Sequence, residues 1–160
     1  MRRRRPLKSS FPSDLILWGA RGKINTERIP QNIFVYDSSL IFGKEHIIAA
    51  YLNAERNFEC GKNISSKMYV EVMLYLAGTR QIREAMEIYR PKPEGKYAIL
   101  FHKNFEEEAR KFVEENNLMR DDSVLEITEE KISDLRLQGI FRDRPLEFVL
   151  ERMAILNIQR

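Results

Sequence analysis

A chain of 160 residues is long enough to bury a hydrophobic core and short enough to do so as one domain. Its 43% hydrophobic and 32% charged residues are those of a water-soluble globular protein, and no apolar run approaches the roughly 18–20 residues of a membrane span. The single cysteine, Cys60, excludes an internal disulfide. The only two histidines, His46 and His102, lie too far apart for a zinc site read from spacing, so the expectation is a cytoplasmic protein without a metal.

The sequence pI of about 9.0 does not describe the whole chain. Arg2–Arg5 and Lys8 carry five positive charges with no acid among them, and the net charge is +3, so the rest carries −2. Residues 1–12, with two prolines, two serines and no apolar period, read as a disordered basic tail ahead of a domain at 13–160. Within that domain Lys62, Lys67, Arg80, Arg83, Arg90 and Lys92 face only Glu71, Glu84 and Glu87. Asn104–Asp134, by contrast, holds eleven acids against four bases. A domain charged this way can attract an anion on one side and repel it on the other, though such runs also fit solvated helix faces.

In chain order, Leu15–Gly19 reads as a strand followed by the turn Ala20–Lys23, and Ile33–Tyr36 as a second strand stopped by Asp37-Ser38-Ser39. Ile47, Tyr51, Ala54 and Phe58, widened by Ile48 and Leu52, form the apolar stripe of a helix over Lys44–Phe58. Asn63–Ser66 supplies capping oxygens for a helix over Lys67–Ala77 that is apolar nearly all round and therefore central. Gly78 suits its left-handed end. Thr79 caps a helix over Arg80–Tyr89 that Pro91 and Pro93 stop. Tyr97–Phe101 reads as a third strand, and Asn104 with Glu107 as a capping box for a helix over Phe105–Asn116. Val124–Ile127 reads as a short strand, Thr128-Glu129-Glu130 as a helix start, and Arg144-Pro145 as the opening of the last helix. The fold class is mixed α/β (α+β), a single domain with a small β-sheet packed against several α-helices.

Catalytic parts are scarce. There is no Gly-rich phosphate loop, Cys60 has no activating neighbours, and the histidines are isolated. Glu71 is the odd residue of the central helix. A lone buried carboxylate is costly, so the expectation is an edge-of-helix ion pair with Lys67, one turn earlier, or a role at an interface.

The stretch Asn63-Ile64-Ser65-Ser66-Lys67-Met68-Tyr69-Val70-Glu71-Val72-Met73-Leu74-Tyr75-Leu76-Ala77-Gly78-Thr79-Arg80-Gln81-Ile82-Arg83-Glu84-Ala85 resembles a family signature: a polar start, a helix with a central glutamate, a small-residue break and a polar-polar-Ile helix. The family is the small regulatory subunit of the KEOPS tRNA-modification complex, the PRPK-binding (TPRKB) proteins. Phe34-Val35-Tyr36-Asp37 and the helix from His46 to Ala54 look familial too. Asp121–Ile127 and the terminal helix are similar to archaeal members. The likeness spans about residues 15–158 and leaves out the Arg-rich tail.

The resemblance implies a subunit that is not an enzyme and needs no cofactor. It would bind and stimulate the complex's small kinase-like ATPase and hold tRNA by its single-stranded 3′ end. It would meet the other KEOPS subunits indirectly. The residues suited to the tRNA tail are Lys62, Asn63, Ser65, Lys67, Gly78, Thr79, Arg80, Gln81 and Arg83, with His46: cations and helix N-termini for phosphate, a glycine for close approach, and Gln81 for a base edge. The same residues also fit a plain helix–helix turn. The kinase-like subunit would dock on apolar residues of the terminal helix, Leu150, Met153, Ile155, Leu156 and Ile158, which equally fit core packing. The alternative reading is a stand-alone nucleic-acid-binding module using the basic tail.

Overall fold

The structure, a computed structural model, describes residues 12–134 and 143–158. The expectation for the Arg-rich tail, apart from Pro12, lies outside those residues. Four strands, β1 (Leu15–Lys23), β2 (Ile33–Asp37), β3 (Glu94–His102) and β4 (Met119–Arg120), form one antiparallel sheet in the order β2-β3-β1-β4. The longest pairing runs from Leu15 opposite His102 to Lys23 opposite Glu94. β2 flanks β3 from Ile33 opposite Phe101 to Asp37 opposite Tyr97. Six α-helices are described: α1 (Lys44–Glu59), α2 (Met68–Ala77), α3 (Ile82–Tyr89), α4 (Glu106–Glu115), α5 (Glu129–Asp134) and α6 (Pro145–Ile158). The mixed α/β expectation holds.

Strand side chains alternate faces, and here both faces are covered. Leu15, Leu17, Tyr36, Ala98 and Leu100 point into a core shared with α1, α2, α3 and α6. Ala20, Ile33, Val35, Tyr97, Ile99 and Phe101 point the other way, against Ala109 and Phe112 of α4. That double cover is why Tyr97–Phe101 is an unbroken apolar run rather than an alternating one. α2 runs through the larger core with Val70–Ala77 buried on every side. Each large apolar side chain there contributes about 1.5–3 kcal/mol of burial.

Several local expectations give way. The expected turn Ala20–Lys23 continues β1 opposite β3. α2 starts after Lys67 and α3 after Gln81, without the side-chain caps expected from Asn63–Ser66 and Thr79. Two further differences follow from tertiary contacts. Val124–Ile127 is not a strand. Residues Asp122–Leu125 form a 3₁₀ turn, and the fourth strand is the two-residue β4, with Arg120 stacked 4.0 Å over the Trp18 ring. The turn crosses β1 at Gly19, where a Cβ would fall onto the Asp121 carbonyl; Gly19 N–H donates to Asp122 Oδ1 at 2.8 Å. The Asn104/Glu107 capping box is also absent: Lys103–Phe105 makes a 3₁₀ turn, and α4 begins at Glu106 without a side-chain cap.

Candidate nucleic-acid interface

The segment between α1 and α2 is shaped from beneath by Glu71. Its carboxylate is fully buried and does not make the expected edge-of-helix pair with Lys67. It accepts from Ser65 N at 2.9 Å, from Ile64 N at 3.0 and 3.2 Å, and from Asn57 Nδ2 at 3.3 Å. Backbone N–H groups that would otherwise be orphaned thus meet a charged acceptor, the condition under which a carboxylate is tolerated inside. Asn57 also donates to Tyr75 Oη, whose hydroxyl donates to Asn157 Oδ1 at 2.6 Å; Asn157 Nδ2 donates to Asn53 Oδ1 at 2.8 Å. One polar chain therefore ties α2, α1 and α6 together.

The residues expected to hold RNA do not form one site. α2 is ten residues long, about 15 Å at 1.5 Å per residue, and separates them. At its start stand Lys62 and Lys67, both exposed, with Asn63 donating to Ser65 O at 2.8 Å and the buried Ser65 accepting from Lys67 N. At its far end lie Gly78, Thr79, Arg80, Gln81 and Arg83. Gly78 has φ 64 and ψ 37, and its open side is filled by Arg152 of α6, which a Cβ would meet at 2.8 Å. Its missing side chain therefore serves packing between helices rather than approach of a ligand. Thr79 Oγ1 accepts from Gln81 N and donates to Glu84, while the exposed Arg83 pairs with Glu87.

His46 leaves the set. It is fully buried, its Nδ1 accepts from Phe42 N at 3.0 Å, and its Nε2 donates to Leu76 O at 3.0 Å. Those two bonds fix the neutral tautomer with the proton on Nε2. Burial, helped by the charge of Lys131, lowers its pKa from 6.5 to about 4, against the opposing effect of the bond to Leu76. Leu76 O also accepts from Tyr89 Oη at 3.0 Å. His46 and Tyr89 thus satisfy a carbonyl at the α2 C-terminus that has no partner within the helix.

What the structure assembles at the start of α2 is a groove of about 750 Å³ that includes residues outside the expected set. Because α3 runs back along α2, Arg90 returns beside Lys67, and the groove between them is floored by Phe34, Met68, Tyr69 and Met86. Tyr69 is held rigidly. Its ring stacks on Tyr36 at 4.9 Å, meets Phe34 edge-on at 5.5 Å, and its hydroxyl donates to Val35 O at 2.8 Å. Burial raises the Tyr69 pKa, keeping the hydroxyl protonated. Lys67 and Arg90 are exposed and form no ion pair among the described residues. Sequence periodicity assigns Tyr69 and Phe34 to the core. Charge counting puts Arg90 in the basic surplus, but only the return of α3 sets it on the groove with Lys67.

The terminal-helix set divides as well. Met153 and Leu156 are buried in the larger core and Leu150 is half-buried against it, whereas Ile155 and Ile158 are 46% and 80% exposed. Among the described residues no group of three or more His, Cys, Asp and Glu side chains is placed to hold a metal, and no helix is long and apolar enough to cross a membrane.

A mixed α/β body with a cation-flanked aromatic groove on one side and unpaired apolar side chains on an outer helix has the build of a binding module. Comparison with known proteins gives that class a family. The family model described as kinase binding protein CGI-121 matches residues 20–143, more than half of the chain, and the chain belongs to this family. It is 29% identical over 153 residues, 91% of this chain and 99% of the relative, to the regulatory protein Cgi121 of Methanocaldococcus jannaschii.

Proposed function

We propose that the chain is a non-catalytic, cytoplasmic regulatory subunit of a KEOPS complex, binding and stimulating its small kinase-like ATPase and holding tRNA by the single-stranded 3′ end. Kinase binding rests on the family description, and the regulatory role on the name of the archaeal relative. The threonylcarbamoyl transfer belongs to other subunits, which this chain meets through the kinase-like one.

The observation that carries the tRNA reading is the groove at the start of α2. A single strand asks for cations along its phosphates and flat apolar surfaces under its bases. Lys67 and Arg90 flank the groove, and Tyr69 and Phe34 line it. Lys62, followed by the neutral Asn63, adds a cation ahead of the same end of α2, while Arg80, Gln81 and Arg83 lie a helix length away, where the body of a tRNA would be met instead. Stacking contributes about 1–3 kcal/mol per base, and each lost phosphate contact flattens the salt dependence by about 0.7 in log–log slope. The Lys67→Glu/Arg90→Glu variant should bind tRNA at least tenfold more weakly with a shallower salt slope, and should lose the preference for tRNA ending in CCA. Full affinity in this folded variant would refute the groove as the tRNA site.

For the kinase-like subunit, Ile155 and Ile158 are the outward apolar residues of α6. Their exposure allows Ile155→Glu/Ile158→Glu without disturbing the core. Capture of the kinase-like subunit should fall at least tenfold, and undiminished capture would move the interface elsewhere.

A further inference from the structure

Away from the groove, a second cavity of about 180 Å³ lies between the ends of the sheet and α5, lined among others by Arg21, Ser38, Lys96 and Lys131. Its floor follows from strand register. Arg21 of β1 stands directly opposite Lys96 of β3, and Ser38, just past β2, donates its N–H to Lys96 O at 3.0 Å. Alternation puts these three side chains on one face of the sheet, in a row. Like charges directly opposite one another destabilise a strand pair; Asp121 offsets the Arg21 side, while Lys96 forms no ion pair among the described residues.

Two further features point the same way. Lys131 is only 7% exposed, and its Nζ donates to Ile41 O at 2.6 Å and Val124 O at 2.7 Å. One of its three N–H donors remains, and it forms no ion pair among the described residues. Ser38 is completely buried, yet its hydroxyl has no hydrogen-bond partner, and neither does the buried Nε of Arg21. Buried polar atoms are nearly always paired, and here the two unpaired donors belong to residues that line one cavity. Asp121 neutralises the far end of Arg21, and Asp37 is engaged by Lys92 at 2.5 Å. Glu130 and Asp134 stand exposed on the lining, in water's reach, while the ammonium of Lys131 lies within.

We propose that this cavity binds a small tetrahedral oxyanion, a phosphate, either free or as the end group of a monoester. Donors arrive from β1, the turn after β2, β3 and α5, a three-dimensional arrangement that suits a tetrahedral anion with lone pairs in every direction. The volume lies below the roughly 300 Å³ of ordinary small-molecule pockets, so it admits a phosphate with water but not a nucleotide. Burial holds the Lys131 pKa down, from 10.5 to about 8. A bound anion would return it upward.

The test is titration of the full chain with inorganic phosphate and with glycerol phosphate, against chloride at matched ionic strength, read by calorimetry and by the rise in unfolding temperature. Phosphate should bind and stabilise where chloride does not, and tighter binding of the ester would identify the end group as the ligand. Lys96→Glu should weaken binding at least tenfold and Ser38→Ala at least threefold, while Lys103→Ala, outside the cavity, leaves it unchanged. Lys131→Met should abolish binding; if that variant does not fold, the Lys96 and Ser38 variants decide. Phosphate no better than chloride, or binding that Lys96→Glu and Ser38→Ala leave intact, overturns the proposal.

Discussion

Replacing Glu71 by Gln exchanges one oxygen for an NH₂ group at the centre of a directional hydrogen-bond chain. In the parent, Ile64 N and Ser65 N donate to the carboxylate from one side and Asn57 Nδ2 from the other. A glutamine can keep its carbonyl toward the two backbone amides, but its NH₂ then faces the NH₂ of Asn57. Asn57 cannot simply turn over. Tyr75 Oη spends its proton on Asn157 Oδ1 and therefore needs a donor from Asn57. The donor–acceptor bond between positions 57 and 71 becomes two facing donors, at about 1–3 kcal/mol, and the bonds kept lose their charge assistance. A loss of about 2–4 kcal/mol is expected, which for a chain of this size lowers the unfolding temperature by roughly 5–12 °C. Thermal and urea unfolding measure it. Hydrogen exchange at the Ile64 and Ser65 amides adds a local readout that general destabilisation would not single out. Lys67→Ala should cost less than about 0.5 kcal/mol. If the Glu71→Gln variant melts within about 2 °C of the parent while Lys67→Ala costs more, the carboxylate acts through an edge ion pair and the buried clamp is wrong.

Acid should act through His46. Its folded pKa of about 4 lies below the ordinary 6.5, so the unfolded chain binds the extra proton first. Stability is then full above pH 6.5 and declines as pH falls toward 4, by up to about 3 kcal/mol; urea midpoints at pH 7, 5.5 and 4.5 should follow that slope, and His46→Gln should flatten it. Gly78→Ala should lower urea stability by about 2 kcal/mol or more, because it adds left-handed strain and a Cβ against Arg152. Gly61→Ala, at φ 67 with open space around it, should cost only about 1 kcal/mol from strain; equal losses in the two would refute the packing role of Gly78. Ile155→Glu/Ile158→Glu should leave the unfolding temperature within about 2 °C of the parent, since exposed side chains contribute little to folding.

Much of the architecture was legible in the sequence because it is set by short-range rules. The apolar stripe of α1, the all-round apolar α2, the glycine that ends it and the run Tyr97–Phe101 each carry their secondary structure in local spacing. The stretch Asn63–Ala85 was enough to point to the family that the comparisons show. Where the local reading failed, at Val124–Ile127 and at the Asn104 cap, a contact from a distant strand or turn outweighed propensity: Gly19 leaves room for the Asp121–Val124 crossing, and no local pattern records that room.

Which residues meet was decided by tertiary structure alone. Periodicity can place a charge on a helix but cannot say whether Glu71 turns outward to Lys67 or inward to the Ile64 and Ser65 amides; the outcome depends on donors brought from another segment. Charge counting could not separate Lys67 from Arg80, which the length of α2 sets apart, nor join Lys67 to Arg90, which the return of α3 brings back. The facing pair Arg21 and Lys96 is a product of strand register, and register is a long-range fact. Local sequence determined the elements and the family. The sites arise where elements distant in sequence pack together, since each side chain's partners are chosen by the chain that returns to cover it.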